Sequence, residues 1–459
     1  MTPRIPRSIN PGQQNENNKT LAIIILLISV LIIDTSLFRI SDLIRVYITP
    51  NWATSLFVFM SAVYLLGQHV LIRFARTKSR QIRELGYLHL KVLDKSVTII
   101  QYLLSGIIVF VLVQVVIFSE FYTSVVSTVA VISYLMAIFM MIFLSIRFFS
   151  WFRLHRNPAV LFYFLSTIVL TINAAFSLAL ILTISPGIPS LVGESQIAGM
   201  TRAIAAKPFA VGLNNGYTAT SILTFILLWL ATALLLREYS RRIGKITYWT
   251  LVSIPLVYFL SQFPALFFNL FGSLIGSNPT FYGIVLTLIF SLSKITGGIL
   301  FGVAFWTVAK HLPAITVVKS YMVIAAYGFI LFYISNQAGS SLFQLGGVYP
   351  PFGLPTIAVI GFSSYLMLVG IYSSAISVAQ DSRLRRTIRK SVQQQSSLLD
   401  KIGTAQMQQE IENKVLSTIR SQAENLRSET GIETSLDENE IRDYMKEVIA
   451  KIITKKREK

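Results

Sequence analysis

Long uninterrupted apolar runs are the feature that most limits the fold of this chain. A helix needs about 20 mostly apolar residues to cross the hydrocarbon core of a bilayer. Ten runs of this kind occur, at 20–40, 52–72, 96–118, 123–146, 159–184, 217–236, 247–271, 280–309, 316–334 and 355–379. Because backbone groups in lipid must satisfy one another, such runs form helices rather than open strands. The sequence therefore predicts an all-α, polytopic membrane protein with about ten transmembrane helices.

The composition agrees with this fold class and excludes several others. Hydrophobic residues make up 53% of the chain and charged residues only 13%, whereas soluble domains carry about 25% charged residues. The apolar runs also lack the alternation of polar and apolar residues that is typical of membrane β-barrels. Since the chain has no cysteine, disulfides and thiolate metal sites are excluded.

The basic charge, a formal net +19, orients the chain in the membrane. It is concentrated in alternate loops, and the segment 73–95 alone holds Arg73, Arg76, Lys78, Arg80, Arg83, Lys91 and Lys95. Cytoplasmic loops carry such an excess of Lys and Arg. We therefore expect a multi-pass protein of the cell membrane with both termini in the cytoplasm, where these residues contact anionic lipid headgroups. A nucleic-acid partner is not expected, because it would need the charge on one soluble face.

Three regions follow from the change in composition along the chain. Residues 1–19 form a polar cytoplasmic N-terminus, residues 20–379 the transmembrane domain, and residues 380–459 a cytoplasmic helical tail. Gly403 is predicted to interrupt the first part of the tail. Apolar residues recur there at the spacing of one helix face, and we expect the following to form an interface: Ile411, Val415, Ile441, Met445 and Val448.

The apolar stripes of the tail are too narrow to be stable on isolated helices. Two interpretations remain open. Either the tail helices pack on one another or on the membrane, or they bind a protein partner or a second copy of the chain. Within this tail, the segment LLDKIGTAQMQQEIENKV at 398–415 resembles the tails of uncharacterised archaeal multispan membrane proteins. The resemblance covers only this short part of the chain, and it implies an archaeal source but no activity.

Residues that could carry out catalysis are scarce and scattered. The four histidines, at positions 69, 89, 155 and 311, form none of the spacings of a zinc protease helix, and no phosphate-binding loop or nucleophile elbow occurs. We therefore expect a protein that is not an enzyme and that has no cofactor and no metal site.

Lys294 lies near the middle of the apolar run 280–309 and is the most unusual polar residue of the membrane domain. It belongs to a predicted helix face of small and polar residues that also contains Gly283, Thr287, Ser291, Gly298 and Gly302. Small residues allow helices to approach closely, so this face should contact protein rather than lipid. A buried charge is costly unless it is paired or hydrated. Asp34 is the candidate partner; alternatively, backbone carbonyls and serines hold the lysine for packing alone.

Two functions of different classes are compatible with these features. In the first, the protein is a sensor or scaffold whose cytoplasmic tail engages a partner or a second copy. In the second, it is a secondary transporter or channel with an intramembrane site around Lys294. The charged tail and the shortage of intramembrane charge favour the first.

Overall fold

The computed structural model describes residues 11–39, 50–84, 88–119, 121–184, 208–237, 240–263, 289–312, 317–339, 350–381 and 397–430. These residues form helices and contain no strand. In chain order the helices are α1 (Pro11–Arg39), α2 (Pro50–Glu84), α3 (Leu88–Phe118), α4 (Thr123–Leu154), α5 (Pro158–Ile184), α6 (Pro208–Leu236), α7 (Ser240–Ile243), α8 (Lys245–Leu260), α9 (Ser293–His311), α10 (Val317–Gly339), α11 (Leu354–Ile357), α12 (Ile360–Gln380) and α13 (Ser397–Thr430).

Within the described residues, eight helical segments are long and apolar enough to cross a membrane. They are Thr20–Phe38, Asn51–Thr77, Lys91–Phe118, Ser124–Leu154, Pro158–Thr183, Pro208–Leu236, Val317–Ala338 and Leu354–Gln380. Each coincides with one of the predicted apolar runs. The chain is therefore a helical, multi-pass, membrane-embedded protein.

The two remaining predicted spans, 247–271 and 280–309, are not among these eight. Helix α8 has 16 residues, fewer than the roughly 20 needed to cross the bilayer core. Helix α9 has 19 residues and begins at Ser293, one residue before Lys294, because a turn at Ser291 and Leu292 interrupts the helix. The rest of both runs lies outside the described residues, so the total of ten spans stays a prediction.

Helices α11 and α12 form the centre of the described bundle. Every residue from Leu354 to Ile376 is buried, and α12 packs against α2, α3, α4, α10 and α13. The other spans expose large apolar side chains, such as Leu66 at 70% and Ile117 at 66%. Contiguous apolar surface of this kind marks a membrane or protein contact, and here it is the surface that faces lipid. Among the long helices that the structure describes, α12 is thus the most completely buried, and its neighbours separate it from lipid.

Glycines allow α12 to approach its neighbours at backbone distance. A Cβ atom at Gly370 would lie 2.5 Å from the backbone nitrogen of Ala325 and 2.7 Å from the carbonyl oxygen of Tyr321, both on α10. On another side of α12, a Cβ atom at Gly361 would lie 2.9 Å from the carbonyl oxygen of Ser133 on α4. Small residues at such contacts are the usual means of packing helices in membranes.

The tail helix α13 docks on the end of α12 through its first turns, where the buried side chains are Leu398, Leu399, Ile402 and Ala405. Gly403, predicted to interrupt the helix, lies inside α13. The physical reason is packing, since a Cβ atom at Gly403 would lie 2.6 Å from Cβ of Val378 on α12. Residues 382–396 and 431–459, which include Ile441, Met445 and Val448, lie outside the described residues.

We expect Gly370→Ala to destabilise the protein by about 1–3 kcal/mol, because the added methyl group meets backbone atoms that cannot rotate away. Gly106→Ala on α3 is the matched control: a Cβ atom there meets nothing within 4 Å, and alanine is the better helix former. Thermal unfolding in mild detergent measures both. Equal melting temperatures for the two variants would contradict the close contact of α12 with α10.

Candidate functional site

Lys294 is held in a buried polar cluster near the start of α9. Its side chain is 7% exposed, and its Nζ donates a hydrogen bond of 2.6 Å to the hydroxyl of Tyr217 on α6. The same nitrogen lies 4.9 Å from the centre of the Tyr217 ring, beyond the hydroxyl rather than over the ring face. The phenolic oxygen therefore stabilises the ammonium group.

A polar side chain on α5 braces the turn of α6 that carries Tyr217. The Asn173 side-chain nitrogen donates to the Tyr217 carbonyl at 2.9 Å and to the Thr220 hydroxyl at 3.0 Å. Ser177, one turn further along α5, donates to the carbonyl of Asn173. The hydroxyl that accepts the hydrogen bond from Lys294 is thus carried by a backbone segment that the neighbouring helix holds in place.

The turn just before Lys294 leaves carbonyl groups that side chains of other helices satisfy. The hydroxyl of Tyr258 donates to the carbonyl of Ile289, and Nε2 of Gln337 donates to the carbonyl of Phe290 at 3.4 Å. Backbone groups released by a break within a membrane require such partners. The interruption of the helix is therefore stabilised by side chains of neighbouring helices at this end of the bundle.

Lys294 lies closer to one end of the bundle than its position in the apolar run predicts. Gly298 lies against Tyr333, and Gly302 lies against Ile330, so α9 runs antiparallel to α10. Because Phe290 is beside Gln337, Lys294 is level with the last two turns of α10. The glycines of the predicted small-residue face contact α10, and Ser291 is buried. Gly283 and Thr287 of that face lie outside the described residues.

Asp34, the predicted partner of Lys294, binds a different part of the protein. It is fully buried. Its Oδ1 accepts the backbone N–H of Gly353 at 2.9 Å, and its Oδ2 accepts the Thr356 hydroxyl at 2.6 Å and the Thr356 N–H at 3.4 Å. Within the described residues no ion pair joins Asp34 to Lys294. The N-terminus of α11 competes for this carboxylate, because its first N–H groups have no partner within the helix.

The other end of α11 is held by a side chain that sequence reasoning did not single out. Gln101 on α3 donates from Nε2 to the carbonyl of Ala358 at 3.1 Å, between α11 and α12, and to the hydroxyl of Tyr64 at 3.2 Å. Its signal in the sequence is an amide, one of two with Gln114, inside the apolar run 96–118. Asp34 and Gln101 together satisfy both ends of a four-residue helix that is entirely buried.

Asp94 forms a second polar junction at the central helix. Its Oδ1 accepts the Tyr365 hydroxyl of α12 at 2.7 Å, and its Oδ2 lies 3.4 Å from Nε of Arg76 on α2. The signal in the sequence is an acidic residue inside the basic segment 73–95. Over the described ranges, no group of three histidine or acidic side chains is arranged to hold a metal ion.

The tail helix α13 changes from buried to exposed over a short distance. Trp151 of α4 donates from Nε1 to Oε1 of Gln406 at 3.1 Å, and Gln406 donates from Nε2 to Glu410 at 3.1 Å. The next apolar residue, Ile411, is 46% exposed, and Val415 is half-buried. Of the predicted tail interface, the structure therefore describes these two residues, on a face that no described helix covers fully.

Double-mutant cycles test the separation of Asp34 from Lys294. We expect Tyr217→Phe to cost about 1–3 kcal/mol in the native background, because it removes an acceptor from a buried ammonium, and much less after Lys294→Met. Asp34→Leu should cost the same in both backgrounds, to within about 0.5 kcal/mol, since the two sites share no contact seen here. Free energies of unfolding in detergent supply all terms, and recovery of the Asp34→Leu loss by Lys294→Met would restore the ion-pair hypothesis.

Three arrangements thus stand out in the described part of the chain: the polar cluster around Lys294, the capped helix α11, and the tail helix docked on α12. The first two place polar groups in buried positions, and the third places an apolar face outside the bundle. Compared with known protein families, with curated proteins and with solved structures, the chain matches none of them.

Proposed function

We propose that this membrane-embedded protein is a sensor or scaffold of the cell membrane, whose tail engages a protein partner or a second copy on the cytoplasmic side. The observation that carries the proposal is the two-part character of α13. Its first turns are buried on the central helix α12, and its later turns carry an apolar stripe in which Ile411 is exposed and Val415 half-buried. One continuous helix of 34 residues therefore joins the membrane core to a surface available for binding.

The docking of α13 supports a tail that follows the position of α12. The Gly403 contact with Val378 allows no larger side chain between the two helices, and the Trp151–Gln406 hydrogen bond adds a contact to α4. Packed helix contacts of this kind have discrete arrangements rather than a continuous range. A displacement of α12 would therefore move the base of α13 with it.

The exposed part of α13 supports a partner rather than a free helix. Ile411 and Val415 are four residues apart and so lie on one face, and Ile419 continues that face one turn later. The surrounding residues are mostly polar or charged. Burying such a face against a partner removes its apolar surface from water. The cytoplasmic placement of this face rests on the distribution of Lys and Arg in the loops.

A secondary transporter or channel is the second candidate, and the broken helix before Lys294 is the observation that favours it. Discontinuous helices with polar residues at the break form the binding sites of several transporter folds. Helix α11, with Asp34 at its N-terminus, is a second short segment of this kind. However, Lys294 lines neither the cavity between α3, α4 and α12 nor the one between α4 and α5.

We expect the double substitution Ile411→Asp with Val415→Asp to weaken self-association or partner capture by at least about tenfold, since it places two charges in the apolar contact. The matched control is Asn413→Asp with Ser417→Asp, which adds the same charge at the same spacing on exposed positions of the helix. Chemical crosslinking in native membranes, followed by affinity purification, measures both. Unchanged association in the first variant would count against the tail interface.

A truncation separates the two candidate functions. Ending the chain after Gln409 keeps the docked turns of α13 and removes the exposed stripe, so a scaffold should lose its partner while its melting temperature stays close to that of the full chain. A transporter should keep its activity after this truncation and lose it after Lys294→Met. Currents from proteoliposomes during jumps of Na⁺, H⁺ or a mixture of amino acids report transport. Currents that survive the truncation and vanish with Lys294→Met would replace the scaffold proposal.

A further inference from the structure

A large apolar groove opens on the side of the bundle between α3, α4 and α12. Its volume is about 850 Å³, within the range of roughly 300–1,000 Å³ that is usual for ligand pockets. Leu135 and Phe139 line it and are 53% and 51% exposed, so the groove opens toward the surface that faces lipid. An occupant would therefore enter sideways from the bilayer.

One end of the groove is closed by a cation. Arg147 on α4 and Tyr372 on α12 are each the lining residue nearest the C-terminal end of their helix. The guanidinium carbon of Arg147 lies 4.5 Å from the centre of the Tyr372 ring. Among the described residues, no carboxylate forms an ion pair with Arg147. Apart from Ser96, the other lining residues are apolar.

Arg147 is placed where lipid headgroups lie. Helix α4 has 32 residues and is about 48 Å long, well beyond the roughly 30 Å of the hydrocarbon core. Arg147 is in its last two turns, and its long side chain can reach the interface. From Arg147 back to Ile132, the groove extends about 22 Å along the helix, which exceeds the roughly 15 Å depth of one leaflet of the core.

We propose that this groove binds one anionic phospholipid, with its phosphate on Arg147 and an acyl chain along the apolar wall formed by α3, α4 and α12. The guanidinium group offers the charged, multiple N–H donors that phosphate prefers. This goes beyond a general attraction of the basic loops to headgroups, because it assigns one lipid to one cavity. The site does not depend on the role of the tail.

A second groove on the same helix provides an internal comparison. It lies between α4 and α5, has a volume of about 380 Å³, and is lined by apolar residues with only Ser145 and Thr171 as polar members. It offers an acyl chain a surface but offers a phosphate no cation. The proposal therefore predicts that lipid binding in the first groove depends on the charge of the lipid, and that lipid binding in the second groove does not.

The test uses the full chain in mild detergent and three probes. Phosphatidylglycerol carries phosphate and acyl chains, diacylglycerol carries acyl chains only, and inorganic phosphate carries the anion only. Bound lipid is counted by native mass spectrometry, and the melting temperature is followed in parallel. We expect Arg147→Gln to weaken phosphatidylglycerol binding roughly five- to tenfold and to leave diacylglycerol binding unchanged. Arg153→Gln, an exposed cation in the last turn of the same helix, is the matched control and should change binding less than about twofold.

Three further variants keep the test decisive if Arg147→Gln fails to fold. Ser96→Trp places a large side chain in the groove without replacing a charged residue, and it should lower the binding of both lipids. Ile168→Trp places the same side chain in the second groove and should leave the binding of phosphatidylglycerol unchanged. Arg147→Lys should retain most of the phosphatidylglycerol binding. The proposal is overturned if phosphatidylglycerol binds Arg147→Gln or Ser96→Trp as tightly as the native chain. It is also overturned if inorganic phosphate alone stabilises the protein as much as the lipid does.

Discussion

The capping of helix α11 is the interaction on which the rest of the described bundle depends. A four-residue helix cannot satisfy all the N–H groups at its start and the carbonyl groups at its end by itself, and inside a membrane protein such groups need partners. Asp34 accepts from Gly353 and Thr356 at one end, and Gln101 donates to Ala358 at the other. These two residues come from α1 and α3. The first and third helices are therefore tied by hydrogen bonds to a segment more than 250 residues later in the chain.

The positions of the spans could be predicted from the sequence, whereas the contacts between them could not. An apolar run of sufficient length becomes a helix in lipid whatever its neighbours are, which is why eight predicted runs coincide with candidate spans. Partners depend on how the helices are rotated and staggered. Asp34 was recognisable as a costly intramembrane charge, but the sequence contains no measure of its distance from Lys294. In the structure, the Asp34 carboxylate accepts hydrogen bonds from the N–H groups of Gly353 and Thr356.

Glycine shows the same division between local and tertiary information. Gly403 has the local signature of a helix break, yet it lies within α13, where Val378 occupies the space that a side chain would need. Gly298 and Gly302 were interpreted from their spacing as a packing face, and they lie against α10. A helical period identifies a packing face because several positions must agree. A single glycine gives no such repeated pattern, so its role depends on the residue that packs against it.

Helix α12 connects the features that matter for function within a single rigid element. It runs without interruption from Ile360 to Gln380, a length of about 32 Å. Just before its start, the carbonyl of Ala358 accepts a hydrogen bond from Gln101. Along its length, Tyr365 donates a hydrogen bond to Asp94, and Tyr372 lies at the end of the lipid-facing groove. Near its end, Val378 packs against Gly403 of the tail. Tyr372 also stacks on Trp151, at 6.4 Å between ring centres, and Trp151 donates to Gln406 of the tail. A group that binds at Arg147 is therefore connected to the docked turns of α13 through Tyr372 and Trp151. Because close-packed interiors transmit strain rather than absorb it, occupancy of the groove and the position of the tail share one set of contacts.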